Sequence, residues 1–166
     1  MRYDQSSGSG AGKLINQTDQ DSLAQIFKEY GEERLASRIA KSIKEMTAMN
    51  TIADLREAIR RCTPPNHRDR TFARIFQALR IAVNGELDIL KQFLAKFIDF
   101  LYPGGRIVII SYQSLEDRLV KHNFKELASG GTLDILTKRP VTATEEEQKN
   151  NRRARSAKLR AAVKVA

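Results

Sequence analysis

One stretch, Tyr102–Lys121, limits most strongly what this chain can fold into. It opens with a tight turn at Pro103–Gly105, where glycine takes a positive φ without steric strain. The run Arg106–Ser111 follows with no internal polar break, which is typical of a strand buried on both faces of a parallel sheet. Ser114 then stands as the N-cap of a helix that has acids in its first turn. The stretch therefore predicts a strand, a short polar loop and a capped helix.

The predicted loop Ser111–Ser114 lies at the carboxyl end of the strand. In open α/β sheets this is the end at which ligands bind. The alternative is an ordinary connection between a strand and a helix, with no chemistry of its own. This stretch alone leaves both interpretations open.

Net charge is the most informative feature of the composition. The 166 residues, enough for one domain or one domain plus an appendage, carry a net charge of +9. Such an excess favours polyanionic partners, nucleic acid above all. The charge is concentrated, because residues 149–166 contain several basic residues and no acid, and Arg56–Arg80 is rich in arginine.

Several classes of protein are disfavoured by composition. The single cysteine, Cys62, excludes an intramolecular disulfide and a cysteine-based zinc cluster, and two histidines do not make a usual metal site. Apolar runs are too short to cross a bilayer, and no secretory signal is recognisable. We therefore expect no metal and a cytoplasmic location, with an organelle matrix as the alternative.

Hydrophobic spacing and capping residues divide the chain into a linker, helices and strands. Residues 1–12 are predicted to be a chain start and a Gly/Ser linker. Three amphipathic helices follow. Thr71 to about Tyr102 is then predicted to be one long helix or two abutting helices joined at Gly85, followed by the strand and helix described above. Leu159–Val165 is predicted to be a last strand, with a short helix as the alternative, and to pair with Leu133–Thr137 as an antiparallel edge. The first three helices are predicted at Asp19–Gly31, Glu32–Met46 and Thr51–Arg61, the last burying Ile52, Leu55 and Ile59.

Five blocks of sequence, in this order, resemble the signature blocks of one family. That family is RsmH (MraW), the small-subunit rRNA cytosine-N4 methyltransferases, which use S-adenosylmethionine. The resemblance implies an α/β fold, namely the carboxyl-terminal half of a Rossmann-like methyltransferase fold with an α-helical insertion subdomain. Residues 13–66 would be the insertion, an RNA-binding candidate, and residues 67–166 the carboxyl-terminal part of the methyltransferase domain. The five blocks are Tyr30–Arg34, Phe76–Asn84, Pro103–Arg106, Ser114–Arg118 and Arg153–Arg160.

The chain also departs from the family pattern. The family's glycine-rich cofactor loop precedes the block that Met1–Asp4 resembles, and nothing here matches that loop. The resemblance thus implies S-adenosylmethionine in the complete enzyme, without binding by this chain alone. It also implies a missing amino-terminal half or a homodimer partner. Gln113 stands where the family has histidine.

By resemblance, the pocket for an extruded cytosine would be lined by Gln113, Ser114, Glu116 and Asp117. Gln113 both donates and accepts hydrogen bonds, so it could read a cytosine edge, but it cannot act as a base at neutral pH. The alternative is that Ser114, Glu116 and Asp117 only cap their helix.

Basic residues are the candidates for contact with RNA phosphates. The alternative is that exposed basic side chains merely keep the chain in solution, and this applies also to a second candidate face, Arg56–Arg74. We predict part of an rRNA methyltransferase; the rival prediction is a non-enzymatic RNA- or ribosome-binding module. The RNA-binding candidates are Arg2, Arg118, Arg152, Arg153, Arg155, Lys158 and Arg160.

Overall fold

The computed structural model describes Tyr3, residues 10–46 and residues 49–165. The chain divides into two compact units, Met1–Glu86 and Leu87–Ala166. The boundary predicted at residue 66 falls inside the first unit, and the roles assigned to the two predicted domains stay predictions. Arg2 and most of the predicted linker lie outside the described residues.

The first unit is built from helices. The first of them begins at Ala11, inside the segment predicted to be linker. A 3₁₀ turn at Pro65–His67 precedes the last. The helices are α1 (Ala11–Gln17), α2 (Gln20–Gly31), α3 (Ala36–Lys44), α4 (Ile52–Cys62) and α5 (Arg68–Asn84).

Local caps set the ends of these helices. The Asp19 carboxylate accepts a hydrogen bond from the Ser22 amide at 2.9 Å and starts α2. Thr51 and Asp54 form the predicted capping box of α4, with bonds of 3.1 and 2.8 Å. Gly85, at φ 61°, ends α5 as predicted, since glycine reaches the left-handed region freely.

One apolar core holds the first unit together. Helix α2 packs closely on α5, and a Cβ at Gly31 would lie 2.8 Å from the Arg74 carbonyl oxygen, so only glycine fits there. The prediction that Ile52 is buried was wrong, because this first residue of α4 is 65% exposed. Fully buried members of the core include Leu23, Phe27, Ile39, Ile43, Ile59, Ile75 and Leu79.

The second unit combines helices with a small sheet. Helix α6 (Glu86–Lys96) leads into it across the boundary between the units and is followed by a 3₁₀ turn, Phe97–Phe100. A second 3₁₀ turn, Arg152–Ser156, leads into the last strand. The remaining elements are β1 (Arg106–Ser111), α7 (Ser114–Ser129), β2 (Leu133–Ile135), β3 (Val141–Thr142), α8 (Glu145–Asn150) and β4 (Lys158–Lys164).

The sheet has the order β1-β4-β2, and β3 pairs with another part of β4. All of these pairings are antiparallel; Arg106 lies opposite Val163 and Leu133 opposite Lys164. The pairing of β4 with β2 confirms the prediction. The prediction that β4 is an edge strand was wrong, since β4 lies between β1 and β2.

The prediction that β1 is buried on both faces was also wrong for the described residues. Ile107 and Ile109 are half-buried and pack against the core of the unit. Val108 and Ile110, on the opposite face, are 57% and 52% exposed. A run of β-branched residues is typical of a strand that is covered by other elements on both faces. In the described part of the chain, only one face of β1 is covered.

The core of the second unit lies under helix α7. Its buried residues are Leu94, Phe97, Val120, Phe124, Leu133 and Ala162. The mixture of helices and a small sheet confirms the predicted fold class, and it is consistent with part of a methyltransferase fold. Over the ranges that the structure describes, no helix has the length and apolar character needed to span a membrane.

Candidate functional site

The connection between β1 and α7 is held by one carboxylate. Glu116 accepts a hydrogen bond from the Tyr112 backbone amide at 3.1 Å, through Oε2. Its Oε1 accepts from the Gln113 side-chain amide, Nε2, at 2.9 Å. The Asp117 amide donates to the Gln113 carbonyl at 3.2 Å. These bonds fix both the backbone of the loop and the direction of the Gln113 side chain.

Gln113, rather than Ser114, is the N-cap of α7. Ser114 is the first helical residue and is exposed, so its predicted capping position was wrong by one residue. Because Gln113 Nε2 donates to Glu116, the amide oxygen Oε1 points away from that bond. Within the described residues Oε1 is buried and has no hydrogen-bond partner. An acceptor in this state can take a hydrogen bond from a ligand N–H or O–H group.

Asp117 lies on the first turn of α7 and reaches the central strand. Its Oδ1 accepts from Arg160 Nε at 2.7 Å, and its Oδ2 accepts from Arg160 Nη2 at 3.3 Å and from Lys158 Nζ at 3.4 Å. Asp117 and Arg160 are 8% and 7% exposed. A side chain predicted for the pocket and one predicted for RNA are therefore joined in a single buried ion pair.

Burial and charge act in opposite directions on Asp117. Burial is the largest influence and by itself would raise the pKa of this carboxyl. The hydrogen bond and charge of Arg160, followed by the charge and hydrogen bond of Lys158, together outweigh burial and lower the pKa below its ordinary value. Asp117 is thus held as a carboxylate that fastens α7 to β4.

Three exposed arginines, Arg152, Arg153 and Arg155, lie on the 3₁₀ turn before β4. The turn is fixed by Asn151, whose side chain accepts from the Arg153 amide at 3.2 Å, and by the buried Ala154. The backbone of the turn is thus fixed while the three arginine side chains are exposed to solvent.

The other RNA-binding candidates lie elsewhere. The Lys158 side chain is 39% exposed and shares Asp117. Arg118 is exposed on α7 and makes an interaction within the chain. Arg2 lies outside the described residues. The structure therefore groups Arg152, Arg153 and Arg155, while Arg160 is withdrawn into the ion pair.

The second candidate face, Arg56–Arg74, is partly engaged within the first unit. The Arg56 guanidinium lies 4.9 Å from the centre of the Phe72 ring. Glu57 lies 4.0 Å from Arg60 and 3.6 Å from Arg61, in exposed ion pairs. These contacts favour the interpretation that this part of the face serves solubility and helix packing.

Two features of the structure were missed by sequence reasoning. The pairing of Asp117 with Arg160 joins residues 43 positions apart, and no local spacing signals it. A cleft of about 400 Å³ in the first unit is lined by arginines from two separate segments, of which only one was considered. A cavity of about 440 Å³ in the second unit opens beside α7 and β2, and Gln113 is not among its lining residues. Over the described residues, no group of three or more metal-ligating side chains occurs.

Comparison with known proteins identifies the family. A sequence model of the MraW methylase family matches residues 1–165. The chain belongs to the MraW methylase family. It is 49% identical to the ribosomal RNA small subunit methyltransferase H of Synechocystis sp., a match that covers 99% of this chain and 54% of the relative. The resemblance inferred from the five sequence blocks is thereby confirmed.

Two further relatives give the same result. The protein of the same name from Trichormus variabilis is 51% identical, over 100% of this chain and 54% of its own length. That of Kosmotoga olearia is 50% identical, over 99% of this chain and 57% of its own length. This MraW-family chain thus spans about half the length of the curated relatives it matches.

Proposed function

We propose that this chain is part of an S-adenosylmethionine-dependent methyltransferase that acts on the exocyclic amine of a cytosine in small-subunit rRNA. The relatives are named as small-subunit ribosomal RNA methyltransferases, and the chain matches them over nearly its whole length. Its net charge of +9 suits a polyanionic substrate. The observation that carries the assignment of the site is the buried, unpartnered Oε1 of Gln113.

The chemistry of cytosine explains why such an acceptor is useful. The lone pair of the exocyclic amine is delocalised into the ring, so the amine is a poor nucleophile and its orientation decides reactivity. Gln113 Oε1 would accept one amine N–H while Glu116 holds the amide of Gln113 in place. An amide does not ionise at neutral pH, so Gln113 would orient the amine and would not remove its proton.

The described residues do not fit the cofactor. A glycine-rich turn between a strand and a helix is the usual cradle for such a ligand, and the connection between β1 and α7 contains no glycine. The positive-φ glycines Gly104 and Gly131 lie in turns that precede β1 and β2 instead. We therefore assign no residue of this chain to S-adenosylmethionine and derive no step through it.

The exposed arginines Arg152, Arg153 and Arg155 would contact the RNA backbone. Arginine forms strong, bidentate bonds with phosphate oxygens, and these bonds weaken as salt rises. Asp117 and Arg160 would not contact the RNA. They would instead hold α7 and the start of β4 in position relative to each other. In this proposal the protein acts on its rRNA substrate in the cytoplasm or in an organelle matrix.

The test uses the full-length protein that contains these residues, with small-subunit rRNA as substrate. Methyl transfer is followed by mass spectrometry of the nucleosides from digested RNA. Loss of one oriented hydrogen bond in the Gln113→Ala variant should lower kcat/KM by roughly tenfold, whereas Gln92→Ala, at an exposed glutamine of α6, should leave it unchanged. Absence of any methylated cytosine with the unaltered protein would refute the proposal.

A non-enzymatic RNA- or ribosome-binding module is the alternative function. It is favoured by the exposed arginines Arg152, Arg153 and Arg155 before β4, which suit contact with RNA phosphates and need no chemistry of their own. This alternative predicts salt-sensitive binding of small-subunit RNA by the full-length protein with no methyl transfer. The same mass-spectrometric measurement separates the two functions.

A further inference from the structure

A basic cleft lies in the helical unit. It has a volume of about 400 Å³ and lies between the segment that joins α2 to α3 and the start of α5. Its charged and titratable lining residues are Glu33, Arg34, Arg38, His67, Arg70 and Arg74.

Most of the positive charge in this cleft is uncompensated. Among the residues that the structure describes, Arg34, Arg38 and Arg70 have no hydrogen-bond or ion-pair partner, and all three are exposed. Elsewhere in the same unit arginines are paired; Arg80 Nε, for example, donates to Glu86 Oε1 at 2.9 Å. Several like charges around one concavity repel each other unless an anion binds among them.

The floor of the cleft is preorganised by a buried acid. Glu33 is 4% exposed, and its Oε1 accepts from the Leu35 amide at 2.9 Å. Its Oε2 has no hydrogen-bond partner among the described residues and lies 3.6 Å from Arg74 Nη1, an ion-pair distance rather than a hydrogen bond. Arg74 is therefore held beside the cleft by charge, while its side chain stays 39% exposed and keeps N–H donors for a ligand.

We propose that this cleft binds backbone phosphates of the rRNA substrate, with Arg34, Arg38, Arg70 and Arg74 as the phosphate ligands. The guanidinium fork matches phosphate oxygens in pairs, and arginines from two segments can grip consecutive phosphates of one strand. The exposed arginines of the second unit and the net charge of +9 favour a nucleic acid over an acidic protein. The inference rests on the proposed function, from which it takes its substrate.

The experiment measures binding of this chain to a fluorescent single-stranded RNA by anisotropy over a series of salt concentrations. The cleft variant is Arg38→Gln/Arg70→Gln. The matched control is Lys13→Gln/Lys28→Gln, which removes the same charge from exposed positions of the same unit that do not line the cleft. Circular dichroism checks that each variant keeps its helices.

Each phosphate contact on single-stranded nucleic acid contributes about 0.7 to the slope of log K against log salt. The cleft variant should therefore lose about 1.4 of that slope, and the control variant much less. Equal slopes for the two variants, or no binding of RNA by the unaltered chain, would overturn the inference. Equally tight binding of polyglutamate at the cleft would overturn the assignment to RNA.

Failure of this inference is distinguishable from failure of the proposed function. Loss of the difference between cleft and control variants, with methyl transfer by the full-length protein intact, refutes the cleft alone. Binding of RNA through the cleft without methyl transfer by the full-length protein refutes the methyltransferase proposal and leaves the cleft in place.

Discussion

The pair formed by Asp117 and Arg160 should be a major source of stability for the second unit. Replacement of Asp117 by Asn removes the charge and leaves the 7%-exposed Arg160 unpaired beside Lys158, a second cation. Breaking a buried pair in this way costs about 3–5 kcal/mol. Replacement of Arg160 by Met leaves Asp117 with Lys158 at 3.4 Å, so we expect a smaller loss, about 2 kcal/mol.

The two changes should also be coupled. In the double variant Asp117→Asn/Arg160→Met no buried charge is left unpaired, so the loss should fall short of the sum of the single losses by roughly 1–3 kcal/mol. The chain has two compact units, so a single unfolding transition would mix them. Hydrogen exchange in urea, read from peptides that cover α7 and β4, reports the free energy of opening of the second unit alone.

Asp134 on β2 provides the control, because it is an exposed acid of the same sheet. Asp134→Asn should change the free energy of opening by no more than about 0.5 kcal/mol. Single losses that add within about 0.5 kcal/mol would show that Asp117 and Arg160 act independently, and the reasoning from burial would then be refuted.

Three further predictions follow from packing and charge. Gly31→Ala should destabilise the first unit by about 2 kcal/mol in urea unfolding, because the new Cβ meets the Arg74 carbonyl, whereas Gly10→Ala, with open space around it, should not. Val108→Thr/Ile110→Thr should reduce the self-association of this chain, measured by sedimentation velocity, because both apolar side chains are exposed on β1. The helical content should stay the same. Unchanged association would show that another surface is responsible. The pKa of Asp117 is lower in the folded chain, so its stabilising contribution is complete above the unfolded-state pKa of about 4 and is lost as the pH falls through the folded-state pKa. Asp117→Asn should therefore make the acid unfolding of the second unit less steep. An unchanged acid transition would contradict this.

Local signals in the sequence predicted most of the helices. Thr51 with Asp54 fixed the start of α4, and Gly85 fixed the joint between α5 and α6, because caps and glycine joints depend on residues a few positions apart. The start of α7 was misjudged by one residue. There Gln113, which carries no preference for capping, takes the N-cap position, and the nearby Glu116 bonds the backbone of the loop.

Non-local arrangement was less accessible to sequence reasoning. Nothing in Lys158–Lys164 shows that this strand lies between two others, because strand order depends on partners distant in sequence. For the same reason Asp117 and Arg160 were assigned to different sites. The family blocks predicted that Gln113 lies near a substrate. The direction of its amide oxygen, which has no hydrogen-bond partner among the described residues, depends on the bond to Glu116 and is not signalled by local sequence.

The central place of β4 has a consequence for how the protein is made. Strands β1 and β2 do not pair with each other, and the strand that joins them comes after both in the sequence. A ribosome that synthesises the chain from its amino terminus therefore releases β1 and β2 before their shared partner exists. The helical unit ends at Glu86 and can therefore form earlier, while the apolar strand β1 still lacks its paired strand. The growing chain is thus most exposed to aggregation in the interval just before residues 158–164 emerge.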